Sequence, residues 1–306
     1  MTEIAFIIGT TLMYSTPLIF ASLGGVLSER SGVINIGLEG LMTFGAFIGS
    51  LIAVYTHNIW LAFLGAGIVT VLLALLHAVA SIEFKANQVI SGTAINFIGP
   101  GFAIYFCRLF FEGASITPPL NLENKMPKAL QDVFTNNSVA DIILNQYATV
   151  YIALFLAFAI WYLLFKTPFG LHLIATGEHP KALRTQGLNP KFYQYFGVLA
   201  SGFLAGLGGA SMSLALVSNF RPTLISGHGF IALAALIFGK WHPMGATLAC
   251  LFFGLAQALV VYFGGIENFV ISSQLLALFP YIMTLIVLVG VIGKSDAPKS
   301  LGQALD

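Results

Sequence analysis

The sequence predicts an all-α polytopic membrane protein with about nine membrane elements, eight full spans and one short or broken helix. Three observations carry that expectation. Hydrophobic residues make up 58% of the 306 positions and charged residues 8%, against roughly 45–50% and about 25% in ordinary globular chains. The apolar residues gather in runs of about 20, the length a helix needs to cross a bilayer core of roughly 30 Å with its backbone polar groups satisfied internally. The few basic residues fall mostly on one side of the alternating runs, as the cytoplasmic excess of Lys and Arg requires.

The first run, 4–27, follows Met1-Thr2-Glu3 without a positive n-region and is too long for a signal peptide, so it is expected as an uncleaved span. Runs at 38–54, 59–82 and 89–111 follow. The polar stretch 111–145 then reads as the one long external loop, with a short surface helix expected near 127–134. A fifth run covers 146–165, a polar loop occupies 166–192, and a glycine-rich run covers 192–217. The next run, 229–239, is too short to cross unless the preceding "TLISGH" also lies at membrane depth. Runs at 244–263 and 275–292 complete the series, and the whole chain, 1–306, reads as a single membrane domain.

Charge bias decides how the short run is counted. As a crossing, it puts Arg30, Lys85, Lys166, Lys181, Arg184, Lys191, Lys240, Lys294 and Lys299 on one side and Arg108, Lys125, Lys128 and Arg221 on the other. The first side is then cytoplasmic, the N-terminus outside and the C-terminus inside. Without it, Lys240, Lys294 and Lys299 would move outside. The chain has thirteen Lys and Arg against twelve Asp and Glu, so it lacks the broad basic surface that nucleic acid requires. Cys107 and Cys250 both lie in apolar runs, and neither a disulfide framework nor a cysteine metal site is indicated. A faint internal echo links "SGVINIGLEGLMTFGAF" to "SGHGFIALAALIFGKW", each with glycines just before an apolar run, as in the discontinuous helices of inverted repeats.

Few polar residues interrupt the runs. Glu39, in "NIGLEG", stands at the start of a span with no basic residue within one turn. It either lines a pathway or caps a neighbouring helix end or pairs with Arg30, since intramembrane carboxylates face a cavity or a partner. Gln88, Gly92, Asn96 and Gly99 recur at near-helical spacing and share a face. Small residues there suit helix packing, while Asn96, with Ser91 and Gln88, could offer donors and acceptors to an uncharged polar solute, and Phe97 or Tyr105 an aromatic face. Ser201, Ala205, Gly209 and Ser213, with Gly202, Gly206 and Ala210, let backbones approach closely, which places that helix in the interior or at a seam between subunits. Ser226 and His228 are two apart and lack a local acid, so a hydrolase pair is not supported.

"TGEHPKALRTQGLNP", 176–190, is polar and punctuated like a short helix, with Pro180 in the first turn and Gly187 just past the end. "KALRTQ" spans less than two turns and is too short to be stable alone, so it needs a surface to dock on. "GVIGKSD" fails as a phosphate loop because Leu288 stands where a glycine is needed.

Several of these stretches carry a family resemblance. "ERSGVINIGLEGLM" (29–42), "ANQVISGTAINF" (86–97), "SGFLAGLGGASMSL" (201–214) and "GHGFIALAALIFGKWHPMGA" (227–246) resemble the permeases of simple-sugar and nucleoside ABC importers, especially the nucleoside branch. "TPFGLHLIATGEHPKALRTQGLNPKFY" looks like their cytoplasmic coupling loop, with His179-Pro180 where the family pattern has two alanines. The resemblance implies a bacterial cell-membrane permease, surrounded by lipid, that pairs with a second permease, homologous or identical. Cytoplasmic ABC ATPases holding ATP and Mg would drive it, an extracytoplasmic binding protein would deliver solute, and this chain would bind no cofactor itself. It further implies ATPase coupling through Gly177, Glu178, Ala182, Leu183 and Gly187, while the polar and aromatic residues noted above, Glu39, Gln88, Ser91, Asn96 and Phe97, are the candidates for its substrate pathway. The rival reading is an ion-coupled secondary transporter of a small polar solute, which would need ionisable groups deep in the bundle; Glu39 is the one candidate, near a span end.

Overall fold

The computed structural model describes residues 2–121, 125–131, 133–135, 138–266, 275, 278–280, 282–283 and 296–305. Among them the regular structure is helical, and seven helices are long and apolar enough to cross a membrane. In chain order the helices are α1 (Thr2–Arg30), α2 (Leu38–Thr56), α3 (Ile59–Ala78), α4 (Gln88–Phe110), α5 (Val139–Leu144), α6 (Ala148–Lys166), α7 (Pro168–Glu178), α8 (Pro180–Thr185), α9 (Pro190–Ser211), α10 (His228–Phe238) and α11 (Pro243–Gly264). Most of the run expected at 275–292 lies outside the described residues.

Short polar side chains start α3, α4, α5, α7 and α9, because the first backbone N–H groups of a helix have no partner within it. Asn58 accepts from the N–H groups of Trp60 and Leu61, and Asn87 from those of Val89 and Ile90. Thr167 and Asn189 do the same for α7 and α9, each followed by a proline at the first helical position. The surface helix of the long loop falls at Val139–Leu144 rather than near 127–134, since Ser138 caps it through Asp141 N–H.

The core lies where α1, α2 and α9 meet. A Cβ built on Gly209 would stand 1.8 Å from Met42 O, so the α2 and α9 backbones touch and no other residue fits there. The small-residue face of α9 is therefore interior to this chain. α3 flanks it, and π-helical turns at Val79–Glu83 and Met212–Leu216 extend α3 and α9.

The bundle has two distinct ends. One gathers the end of α1, the start of α4, α7, α8, Lys240–Trp241 and residues 298–305, and there Lys191 Nζ pairs with Glu83 Oε2 at 2.6 Å. We term it the basic end. At the far end, Thr117 and Leu120 pair with Phe220 and Ser218, and Phe6 contacts Tyr262 at the end of α11. Residues 218–238 connect the two ends, half as irregular chain and half as α10.

Candidate functional site

The most polar part of the interior surrounds a break between α1 and α2. Residues 31–37 are not helical, and their backbone groups need partners, because non-helical backbone at membrane depth survives only when buried in protein. Side chains of α3 and α4 supply many of those partners. Gln88 Oε1 accepts from Ile34 N–H at 2.7 Å, and the His77 ring contacts Ile34 O through Nε2 (3.0 Å) and Ser91 Oγ through Nδ1 (2.9 Å). Asn96 donates to Ile36 O at 3.0 Å and accepts from Gly40 N–H at 2.8 Å. Asn35 accepts from Gly37 N–H and donates to Ser201 Oγ on α9 at 2.9 Å.

The stripe on α4 therefore faces the break. Gln88 and Asn96 are eight residues apart, a rise of about 12 Å, and the chain from Ile34 to Gly40 runs inward alongside them. The glycines of the stripe admit backbone only: between the two amides a Cβ on Gly92 would stand 3.1 Å from Gly37 N, and beyond Asn96 one on Gly99 would stand 2.2 Å from Gly40 O. Phe97 points the opposite way and is 76% exposed on this single chain.

Glu39 lies at the inner end of the break, half-buried in the first turn of α2. Its two oxygens accept from Gly227 N–H and Gly229 N–H, each at 2.7 Å. These are groups at the start of α10, where a helix carries unsatisfied donors and partial positive charge. Arg30 holds the other end of the same helix, donating from Nε to Trp241 O at 2.8 Å. An acid at the N-terminus and a base beyond the C-terminus complement the dipole of a helix only eleven residues long. The two glycine-rich stretches of the sequence echo thus precede helix starts that meet: a Cβ on Gly229 would stand 2.4 Å from Glu39 N.

At the basic end, α7 and α8 form the polar loop. α8 closes in a Schellman arrangement, with Gly187 N–H on Arg184 O (2.9 Å), Leu188 N–H on Leu183 O (3.3 Å) and Gly187 at φ +80°. Leu183 is buried beneath α8, while Ala182 and Gly187 are exposed and Glu178 is half-buried. Gly177 is buried against the end of α1, where its Cβ would stand 2.4 Å from Arg30 O. Between α10 and α11, the His242 ring stacks on Phe165 with centroids 5.0 Å apart. Burial, and then the nearby Arg30 charge, hold its imidazole below the ordinary histidine pKa.

The structure thus brings Glu39, Gln88, Ser91 and Asn96 together around one break and keeps Phe97 apart. His77, Asn35 and Arg30 complete the arrangement and were not singled out as site residues from the sequence. His77 had a signal, being the sole titratable residue within 59–82.

Residues 7–288 match the family described as "Branched-chain amino acid transport system / permease component". Over 98% of its length the chain is 42% identical to the guanosine ABC transporter permease protein NupQ of Bacillus subtilis, covering 96% of that protein. It is 40% identical to the nucleoside ABC transporter permease protein NupC of Lactococcus lactis, covering 97% of this chain and 95% of that one. A putative glucose ABC transporter permease protein of Haloferax volcanii is 31% identical over 93% of this chain and 91% of its own.

Proposed function

Since the chain belongs to the permease-component family of branched-chain amino acid transport systems, we propose that it translocates nucleosides as the membrane subunit of an ATP-driven importer. It is a multi-pass membrane permease and a transport subunit rather than an enzyme. The observation that carries the substrate class is its similarity, from end to end, to permeases named for guanosine and nucleosides. In this reading a cytoplasmic ABC ATPase supplies the work from ATP and Mg, an extracytoplasmic binding protein delivers solute, and a second permease, homologous or identical, completes the pathway.

The basic end faces the cytoplasm, with the N-terminus outside and the C-terminus inside, because the majority of Lys and Arg lie there. Residues 218–238 count as one crossing, supported by the contact of Phe220 with Thr117 at one end and by Arg30 holding Trp241, just past the other. Described residues at Ile266 and 298–305 stand at opposite ends of the bundle, which supports nine membrane elements within one domain, with 111–145 external and 166–192 cytoplasmic.

α8 is the part that meets the ATPase. Ala182 and Gly187 form the contact, Leu183 and Gly177 seat it on the bundle, and Glu178 borders it. The solute route runs beside the break. Glu39, Gln88 and Asn96 shape its wall by holding the backbone and Ser91 by holding the His77 ring, while Phe97 on the exposed face of α4 offers a ring against which a base can stack. Reconstituted with its ATPase and binding protein, the permease should take up radiolabelled guanosine only when ATP is hydrolysed. Uptake by the lone chain, driven by a proton or sodium gradient, would reject the proposal in favour of a secondary carrier.

A further inference from the structure

Residues 298–305 return to the basic end and bind two elements that are remote from each other in sequence. On one side, Ser300 N–H donates to Gly177 O at 2.8 Å and Ser300 Oγ to Glu178 O at 3.2 Å. Both acceptors are carbonyls at the end of α7, where a helix leaves its last C=O groups without partners. On the other side, Gly302 N–H donates to Gly32 O at 3.1 Å, at the start of the break between α1 and α2. Gly302 adopts φ +79°, and a Cβ there would stand 2.9 Å from Ile34 Cδ1. Ile34 is the residue that Gln88 and His77 hold from α4 and α3. Leu305 is buried at 8% exposure, and Ser300, Gln303, Ala304 and Leu305 form one wall of a cavity of about 480 Å³ whose other wall is α8.

We infer that residues 298–305 are a strut that carries displacement of the α7–α8 corner, through its bonds to the end of α7, to the break before α2. The contacts have the right mechanical character. Hydrogen bonds to carbonyls at both ends resist sliding, and the close fit of Gly302 on Ile34 transmits a push without slack, since packed interiors deform little. A solvated tail would need neither the left-handed glycine nor a buried Leu305. From Gly32 the displacement reaches Glu39, which holds the start of α10, so the strut joins the site of ATPase contact to both discontinuous elements.

The inference rests on α8 being the ATPase contact, and the test separates the two. In the complex of permease, ATPase and binding protein, a cysteine at Ala182→Cys should cross-link to the ATPase, and absence of the cross-link would reject the underlying reading alone. With the cross-link established, Gly302→Val should leave assembly and ATP hydrolysis in place while lowering guanosine uptake per ATP about tenfold, a usual scale for coupling between sites. Ser300→Ala, which removes only the Oγ bond, should lower that ratio about threefold, the scale of one hydrogen bond. An unchanged ratio in both variants would overturn the strut. Loss of ATPase binding in both would overturn it also, making the segment part of the docking wall. If Gly302→Val fails to insert, Ser300→Ala alone decides the matter by the same ratio.

Discussion

Glu39→Gln offers a sharp test of how the interior is held. The carboxylate accepts two N–H groups, Gly227 and Gly229, each at 2.7 Å. Glutamine has the same shape but one acceptor oxygen, so one N–H keeps a partner and the other faces an NH₂ donor. An unsatisfied buried donor costs about 1–3 kcal/mol, and losing the negative charge at a helix N-terminus costs a further 0.3–1 kcal/mol or about that. The variant should therefore be destabilised by about 1–4 kcal/mol. Glu39→Asp, one methylene shorter, should fall between it and the wild type by reaching one donor with its charge intact. The assay is thermal unfolding in detergent, with guanosine uptake measured alongside. If Glu39 instead contacted solute directly, Gln would shift the apparent KM and leave the unfolding midpoint unmoved. That result would refute the capping argument.

Three other outcomes follow from the same geometry. Asn96→Leu removes the partners of Gly40 N–H and Ile36 O together, and should lower stability by about 2–6 kcal/mol; normal stability with reduced uptake would show that Asn96 serves the solute rather than the break. Gly187→Trp places a bulky residue at φ +80° on the exposed end of α8 and should abolish uptake while leaving the permease inserted, with normal ATPase co-purification and uptake counting against α8 as the contact. His242 should make the protein less heat-stable as pH falls. Its folded pKa lies below the ordinary value of about 6.5, so the unfolded chain takes up the proton first and stability declines from about pH 6.5 down through the folded pKa. His242→Phe, which keeps the ring on Phe165, should flatten that dependence in a pH series of unfolding midpoints; an unaltered slope would assign it to other groups.

Much of the fold was legible in advance because crossing a bilayer imposes a length and a composition that a linear pattern can carry. The expected runs at 38–54, 89–111 and 244–263 became Leu38–Thr56, Gln88–Phe110 and Pro243–Gly264, their bounds moved a residue or two by caps such as Asn87. Pro180 and Gly187 likewise announced α8, since the angles these residues favour are local properties. The polar stripe on α4 was visible as spacing, but spacing does not say what it faces.

Tertiary structure decided that. Gln88 and Asn96 are spent on the backbone of residues 34–40, His77 joins them from another helix, and Glu39 serves a helix 188 residues further on. Nothing near Glu39 in the chain marks Gly227 as its partner, and nothing near Gly32 marks Gly302. Sequence determined which segments could live in lipid, because transfer of a side chain depends on that side chain alone. Which polar group satisfies which depends on distances between remote segments, and only the packed bundle sets those.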